Sequence, residues 1–274
     1  PEPPEVFVEI RPSGATKEGF ATADGWTIRF ERFVSAVGDV ELEAPEGRAD
    51  TACNEYSEAN SEWLYDFTKL ERGKVGLVHG LGECDVTWRS RSPSDDTVVG
   101  VGATEQDRLQ MIARDEDDYA VDQRVSVWAI GTATQGDVTK TFGWVFRRNY
   151  ELASCSGLDG EGIISEVTLR GGERIEVLLE LRAEELFRAA PRDDAELVFS
   201  PFAQADADGD GAITLVELAD VPVDVEVEPM EDEDPPETLA DLVYAYSLPR
   251  LTRIAGGGPC KAELRARRQA PTTQ

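Results

Sequence analysis

Histidine is nearly absent from this chain of 274 residues, which contains only His79. Catalytic sites of the Ser-His-Asp and Cys-His types need a histidine as general base, and one histidine cannot build a transition-metal site by itself. His79 lies in an apolar, glycine-rich run, so we predict that it is a buried, hydrogen-bonded structural residue. The motifs GxSxG, GxGxxG and the phosphate-binding P-loop are missing as well. We therefore expect no enzymatic activity.

Positive charge is also scarce. The chain has 27 lysines and arginines against 55 aspartates and glutamates, which leaves a net charge of −28. A protein this acidic is repelled by nucleic acid and by anionic membrane surfaces, and it favours cations and basic partners. No apolar run approaches the roughly 20 residues that a membrane-spanning helix needs. We therefore expect no nucleic-acid partner and no membrane span.

Cysteine is sparse but even in number. The four cysteines lie far apart, without a CxxC pair that would indicate zinc binding or redox chemistry. Two disulfides in an oxidising compartment are the natural interpretation. Of the three pairings that four cysteines allow, we expect Cys84–Cys155 within the sandwich and Cys53–Cys260 as the bridge that ties the C-terminal helix back. Because the chain begins at Pro1 rather than Met, we also expect that a leader was removed, naturally or by design. These features predict a secreted, periplasmic or cell-surface protein.

The first 155 residues show the alternation that is typical of β-strands. Apolar side chains alternate over Val6–Ile10 and again over Trp26–Phe30. After Phe30 the alternation changes phase, which indicates a bulge near Glu31–Arg32. Residues 124–132 and 142–146 predict two strands joined by a turn at 135–137. Thr104 and Asp107 predict the start of one inserted helix, with Leu109 and Ile112 on its apolar side. This pattern favours a mainly β fold, a sandwich of the immunoglobulin-like or jelly-roll-like kind.

The second half continues with two predicted strands, 162–170 and 173–182, joined at Gly171-Gly172. A helix is expected to begin at Thr238, because the apolar residues after it recur at helical spacing. Pro249 should kink or end this helix. Between these elements lies the segment with the most specific chemistry in the chain.

Residues 206–217 read DADGDGAITLVE. Three carboxylates on alternate residues of a coiled segment can point at one centre, and Gly211 permits the sharp turn between them. The spacing resembles the EF-hand calcium loop at each diagnostic position. We expect Ala212 to contribute its backbone carbonyl, Thr214 to hold or hydrogen-bond a water, and Glu217 to bind bidentately. The predicted ligand set is Asp206, Asp208, Asp210, Ala212, Thr214 and Glu217.

The flanks of this loop predict a truncated EF-hand. Ser200-Pro201 starts the preceding helix only five residues before Asp206, and Pro222 ends the following one early. A sensor EF-hand swings two long helices apart, and these helices are too short for that movement. No second loop of this kind occurs in the chain. We therefore expect bound Ca²⁺ to have a structural role rather than a signalling one.

This organisation divides the chain into five segments. They are a β-sandwich body (1–190), the calcium segment (191–225), an acidic linker (226–237), a C-terminal helix with its cysteine tether (238–260) and a basic polar tail (261–274). A β-rich body with four cysteines, such a loop, a helix (ADLVYAYSLPRLTRIAGGGPC) and a late cysteine is similar to uncharacterised secreted or lipoprotein-type bacterial proteins. The resemblance implies an exported protein and brings no known activity with it.

The leading functional prediction is a calcium-stabilised, disulfide-bonded protein with a structural, adhesive or self-assembly role at the cell surface or outside the cell. Copies of the chain could associate if the strand Val6–Arg11 added to the sheet edge of a neighbour. The alternative is a secreted hydrolase or glycan-binding module that uses surface carboxylates and an exposed tryptophan, Trp26 or Trp63. Second cation sites at Asp115–Asp118 or at Glu231–Asp234 are further alternatives, against ordinary solvated acidic segments.

Overall fold

The structure is a computed structural model that describes residues 3–48, 53–56, 61–113, 124–225, 227 and 234–265. Its strands are β1 (Glu5–Pro12), β2 (Phe20–Ala21), β3 (Thr27–Glu43), β4 (Asn54–Glu55), β5 (Glu62–Asp66), β6 (Gly73–Arg91), β7 (Val98–Val99), β8 (Val127–Gln135), β9 (Val138–Phe146), β10 (Tyr150–Ala153), β11 (Glu166–Leu169), β12 (Arg174–Leu181), β13 (Ala212–Ile213), β14 (Thr252–Ile254) and β15 (Lys261–Leu264). The α-helices are α1 (Gly14–Glu18), α2 (Glu105–Ile112), α3 (Ser200–Gln204), α4 (Leu215–Leu218) and α5 (Leu239–Asp241). A 3₁₀ helix spans Ala183–Phe187, and α5 continues as a π-helical turn (Leu242–Ser247) and a 3₁₀ turn (Leu248–Arg250).

The predicted mainly β fold is confirmed. The strands of the described ranges join in one curled sheet with the main order β13-β9-β8-β3-β6-β1-β12-β14, and the shorter strands attach beside this path. Most neighbours are antiparallel, while β1–β12, β5–β7 and β9–β13 are parallel pairs. The two layers expected of a sandwich are therefore parts of one continuous hydrogen-bonded network.

The two longest strands, β3 and β6, allow one sheet to curl around its own core. In its first half β6 pairs with β1, and in its second half it pairs with β3, β10 and β11. The register of β3 against β8 shifts between Phe30 and Arg32, which confirms the predicted bulge. A second shift, against β6, lies between Gly38 and Glu41. Each bulge bends the strand and increases its twist, so the sheet folds over.

An aromatic cluster fills the core where β9 meets the segment that leads to the loop at 206–217. Phe187 lies near its centre, 5.7 Å from Trp144 and 5.1 Å from Phe202 between ring centroids. Phe142 and Trp144 of β9 stack at 4.6 Å, and Phe199 packs 5.7 Å from Phe202. Rings at these separations contribute about 0.5–1.5 kcal/mol per pair beyond the area that they bury. The segment that leads to the loop is therefore anchored in the core through Phe199 and Phe202.

The N-terminal strand lies inside the sheet, which corrects the expected route to self-association. Along one edge β1 pairs with β6, and along the other it pairs with β12 in register from Glu5↔Arg174 to Pro12↔Leu181. Strand addition requires a free edge of N–H and C=O groups. Both edges are paired as far as Ile10, and Arg11 is paired with Glu180 of β12, so this strand cannot extend the sheet of another copy without first leaving its own.

The disulfides join Cys53 to Cys84 and Cys155 to Cys260, and no cysteine is free. The expected pairing of Cys84 with Cys155 and of Cys53 with Cys260 is wrong. Strand register explains the difference. Pairing of Asn54 with Leu81 brings Cys53 close to Cys84, while the pairing of β10 with β15, from Tyr150↔Leu264 to Ala153↔Lys261, brings Cys155 beside Cys260. Neither contact can be inferred from cysteine spacing.

The inserted helix α2 is confirmed together with its capping box, in which Thr104 and Asp107 exchange hydrogen bonds. Its buried face, however, consists of Asp107 and Met111, and Leu109 is 50 % exposed. Asp107 turns inward because both of its oxygens accept hydrogen bonds from Arg32, at 2.8 and 2.9 Å. A charged pair therefore replaces the apolar contact that the spacing predicted.

The C-terminal region adds strands to the sheet. The helix from Thr238 is confirmed with its capping box to Asp241, and Pro249 lies in the closing 3₁₀ turn. Lys261–Leu264, assigned to the polar tail, instead forms β15. The hairpin turn at 135–137 is confirmed, whereas β11 and β12 flank the glycine pair without pairing with each other. Residues 266–274 and most of the acidic linker lie outside the described ranges.

Candidate metal site in the 206–217 loop

The helix that leads to the loop is fixed at its start by Asp24. The Oδ2 atom of Asp24 accepts hydrogen bonds from the backbone N–H groups of Phe199 (2.9 Å) and Ser200 (2.6 Å). Burial raises the pKa of Asp24, but the hydrogen bonds from Thr22, Ser200 and Phe199 outweigh it, and the net pKa is lowered. Asp24 is therefore an ionised cap for the first turn of α3, where free N–H groups favour a negative charge.

The loop coils because its own aspartates bind its backbone. Asp208 Oδ1 accepts a hydrogen bond from the N–H of Asp210 (3.1 Å), and Asp210 Oδ1 accepts one from Ala212 (2.7 Å). Gly209 and Gly211 have φ angles of +75° and +85°, a region that residues with a Cβ rarely adopt. These turns direct the alternate aspartates towards one centre, with Asp206 half-buried as a whole residue and Asp208 and Asp210 exposed.

Three carboxylates converge in the loop. One oxygen each of Asp206, Asp208 and Asp210 lies within 4.8 Å of the others. The Asp206 side chain is 0 % exposed, and its Oδ1 atom is buried without a hydrogen-bond partner among the described residues. A buried carboxylate oxygen without a partner is costly, because desolvation is not compensated. A cation between the three carboxylates would compensate it.

The other oxygen of Asp206 is already bound. Its Oδ2 atom accepts a hydrogen bond from the Gly211 N–H (3.1 Å) and forms an ion pair with the ammonium of Lys140. The hydrogen bond from Lys140 lowers the pKa of Asp206 and outweighs the opposite effect of burial. Asp206 is therefore ionised at neutral pH, as a metal ligand must be.

Glu217 points back to the start of its own helix. Its Oε2 atom accepts hydrogen bonds from the N–H and the hydroxyl of Thr214, both at 2.8 Å, which completes a capping box for α4. These bonds lower the pKa of Glu217. Its carboxylate is not one of the three that converge within 4.8 Å. Of the six predicted ligands, the structure brings together Asp206, Asp208 and Asp210, and it places Thr214 and Glu217 in a capping interaction beside them.

The loop is joined to the sheet by its short strand β13. Ala212 and Ile213 pair in parallel with Thr141 and Phe142 of β9. The Thr141 N–H donates to the carbonyl of Gly211 (2.8 Å), and the Trp144 indole N–H donates to the carbonyl of Ile213 (2.9 Å). Ile213 is 1 % exposed and belongs to the main core. Loop and body thus share backbone hydrogen bonds and buried apolar surface.

These donors fit a hard cation. The converging groups are carboxylate oxygens, and neither histidine nor cysteine takes part, so the set suits Ca²⁺ or Mg²⁺ rather than a softer metal. The buried Asp206 Oδ1, which no described residue hydrogen-bonds, is the specific feature that favours a bound ion over an ordinary solvated turn.

The other predicted functional residues have structural surroundings. All five tryptophans lie in the described ranges and none is exposed: Trp26 is buried, and the half-buried Trp63 stacks on Tyr65. His79 is only half-buried on β6, and its Nδ1 atom has no hydrogen-bond partner among the described residues, which departs from the prediction. The alternative cation sites at Asp115–Asp118 and Glu231–Asp234 lie outside the described residues except for Asp234.

Two residues that contribute to the site, Lys140 and Asp24, were not predicted from the sequence. Lys140 precedes the loop by 66 residues, and Asp24 lies 175 residues before Phe199. Strand pairing and core packing bring Lys140 to the loop and Asp24 to the start of α3. The available signal was weak: Lys140 lies just before the predicted strand 142–146, on the same face as Phe142 and Trp144.

Comparisons with known proteins give no match. No family model, no curated protein and no solved structure resembles the chain significantly. The likeness to the EF-hand therefore depends on the twelve residues of the loop and on their geometry. In the described part of the chain, no helix is both long and apolar enough to cross a membrane.

Proposed function

We propose that residues 206–217 form a structural calcium site that fastens the C-terminal part of the chain to the β-sheet. The observation that carries the proposal is the convergence of Asp206, Asp208 and Asp210 around a buried Asp206 oxygen that has no hydrogen-bond partner among the described residues. The loop strand is hydrogen-bonded to β9. The six-ligand spacing of the sequence then favours calcium, which takes six to eight oxygens in flexible geometry, over magnesium, which demands a near-ideal octahedron.

A structural role is favoured over a calcium switch by the size and attachment of the motif. The flanking helices have five residues in α3 and four in α4, too few to act as levers. The loop strand pairs with β9, whereas sensor loops work in cooperative pairs. Ile213 is buried in the main core, so opening the loop would expose apolar surface. Calcium at this site holds the loop against the β-sheet and has no switching role.

We further propose that the protein is exported and acts in surface structure, adhesion or assembly. Two disulfides support an oxidising compartment, where millimolar calcium would fill even a weak site. The alternative, a hydrolase or glycan-binding module, predicts an exposed tryptophan beside converging carboxylates. Trp26 is buried, and the half-buried Trp63 stacks on Tyr65, so neither is the exposed tryptophan that this alternative needs, and the structural role is preferred.

The test is calcium binding measured by isothermal titration calorimetry, together with thermal unfolding in calcium and in chelator. An ion that binds only the folded state adds about 2.7 kcal/mol to the free energy of unfolding when its concentration is a hundred times Kd. An ion that holds the loop should therefore raise Tm clearly. Unchanged Tm values in calcium and chelator would refute a structural calcium site.

Glu217→Gln is the informative variant, because glutamine can still accept the hydrogen bonds of the Thr214 cap but loses the charge and the bidentate grip. We expect only a small loss of stability in chelator, because the neutral amide accepts weaker hydrogen bonds than the carboxylate, and at least tenfold weaker calcium binding. Asp220→Asn removes a nearby exposed negative charge outside the loop and should bind calcium as the parent does. Equal affinity in Glu217→Gln and the parent would remove Glu217 from the ligand set.

A further inference from the structure

We propose that Lys140 is the internal counter-ion of the loop: its ammonium neutralises Asp206 when no metal is bound, and calcium must compete with it. This inference rests on the proposed calcium site and adds the residue that sets its affinity. The sequence pattern of the loop does not contain Lys140, which belongs to the sheet strand β9.

The position of Lys140 follows from the pairing of the loop with the sheet. Thr141, the next residue, pairs with Ala212 and donates its N–H to Gly211. Lys140 therefore lies beside the loop, and its ammonium contacts Asp206 Oδ2. Its side chain is 19 % exposed and that of Asp206 is fully covered, so little water is available to replace either partner. In the described part of the chain, Lys140 is the only basic side chain paired with Asp206.

Asp206 has two oxygens with different environments. Oδ2 is held by the Lys140 ammonium and the Gly211 N–H, whereas Oδ1 is buried without a described partner. The aspartate at the first loop position is a metal ligand in the EF-hand pattern. A calcium ion at Oδ1 would lie within a few ångströms of the ammonium. The two cations would therefore repel each other across one carboxylate.

The repulsion between the Lys140 ammonium and calcium determines how far Lys140 is expected to lower calcium affinity. A single charge and a divalent ion about 5 Å apart, even at the dielectric constant of water, repel enough to lower affinity roughly tenfold. Removal of the ammonium should strengthen calcium binding by about that factor. It should also weaken the metal-free protein, because the covered Asp206 carboxylate then loses its ion pair with Lys140.

The two effects have opposite signs, and together they distinguish a counter-ion from a residue with a merely structural role. A structural lysine would, on substitution, lower stability in calcium and in chelator alike and would weaken calcium binding. A counter-ion lowers stability only in chelator. The calcium-induced rise in Tm should therefore be larger in Lys140→Met than in the parent protein.

The experiment compares the parent protein, Lys140→Met, Lys140→Arg and Lys69→Met by calorimetric titration with calcium chloride and by Tm in calcium and in chelator. Lys69 is exposed, so Lys69→Met matches the change in net charge without touching the loop. We expect about tenfold tighter binding in Lys140→Met, and affinity within about threefold of the parent in the other two variants. If Lys140→Met does not fold, Lys140→Gln supplies the same uncharged comparison and can still donate a hydrogen bond to Asp206.

Unchanged or weaker binding in Lys140→Met, with the parent protein binding calcium, would overturn the inference and leave the calcium site standing. Binding by Lys140→Met alone would support the inference and refute calcium as the normal occupant of the parent loop. Absence of binding in all four proteins would overturn both proposals.

Discussion

Replacement of Ile213 by alanine tests whether the loop is part of the folded core. Ile213 lies at the eighth position of the loop, is 1 % exposed and packs in the main hydrophobic cluster. Its backbone carbonyl accepts the Trp144 indole N–H at 2.9 Å, and the substitution leaves this group in place. The perturbation therefore removes apolar packing at the junction and no predicted metal ligand.

The expected cost follows from the three carbon atoms that are lost. At about 0.8 kcal/mol for each buried carbon, their transfer accounts for roughly 2.4 kcal/mol. The cavity that remains adds to this, and measured costs of such substitutions run from about 2 to 5 kcal/mol. We expect about 3 kcal/mol. With an unfolding entropy of about 0.6 kcal/mol per kelvin for a chain of 274 residues, Tm should fall by about 5 °C.

The assay is isothermal guanidinium unfolding followed by tryptophan fluorescence, since Trp144 contacts the junction directly. Val216 supplies the matched control: it lies three residues further on, is 78 % exposed, and Val216→Ala should change stability by less than about 0.5 kcal/mol. Calcium affinity should also fall in Ile213→Ala, because a loop that is less firmly docked is less preorganised. A loss of stability below about 1 kcal/mol would refute the docking of the loop on β9.

Two further predictions concern the rest of the fold. The Cys155–Cys260 bridge closes a sequence separation of 105 residues and Cys53–Cys84 one of 31, so loop entropy predicts stabilisation of about 4.8 and about 3.7 kcal/mol. Guanidinium unfolding of the two paired Cys→Ala variants should rank them in that order, and the reverse order would contradict the entropic argument. Burial raises the pKa of Asp107, but hydrogen bonds from Arg32 and Thr104 outweigh it and the net pKa is lowered. Its stabilisation is thus complete above the unfolded pKa of about 3.9 and is lost as pH falls through the lower folded value. Asp107→Asn should flatten that acid-dependent loss in a pH series of unfolding free energies, and an unchanged slope would exclude Asp107 as a contributor.

Much of the local structure could be predicted from the sequence, because its causes lie within a few residues. The alternation around Trp26–Phe30 and its change of phase reveal a strand and its bulge, since neighbouring side chains of a strand lie on opposite faces. Thr104 and Thr238 reveal helix starts, because each capping box is complete within four residues. The aspartates of the loop converge for the same reason: their spacing and Gly211 define the coil.

The long-range contacts could not be predicted in this way. Cysteine spacing could not distinguish three pairings, because strand register rather than distance along the chain brings Cys155 to Cys260. The amphipathic pattern could not anticipate that Asp107 is buried, since its partner Arg32 lies 75 residues away. Lys261–Leu264 is too polar to be recognised as a strand from its own sequence, because its stability comes from pairing with β10.

The sequence by itself therefore determined the strand periodicity, the helix caps and a loop with the spacing of a calcium ligand set. These features depend on backbone geometry and on side chains close together in the chain. Only the tertiary structure decided how the loop is used: its strand pairs with β9, Ile213 enters the core, and Lys140 meets Asp206 across 66 residues. The physical reason is that register and packing are properties of the whole sheet, which brings distant residues together without any local signal in the sequence.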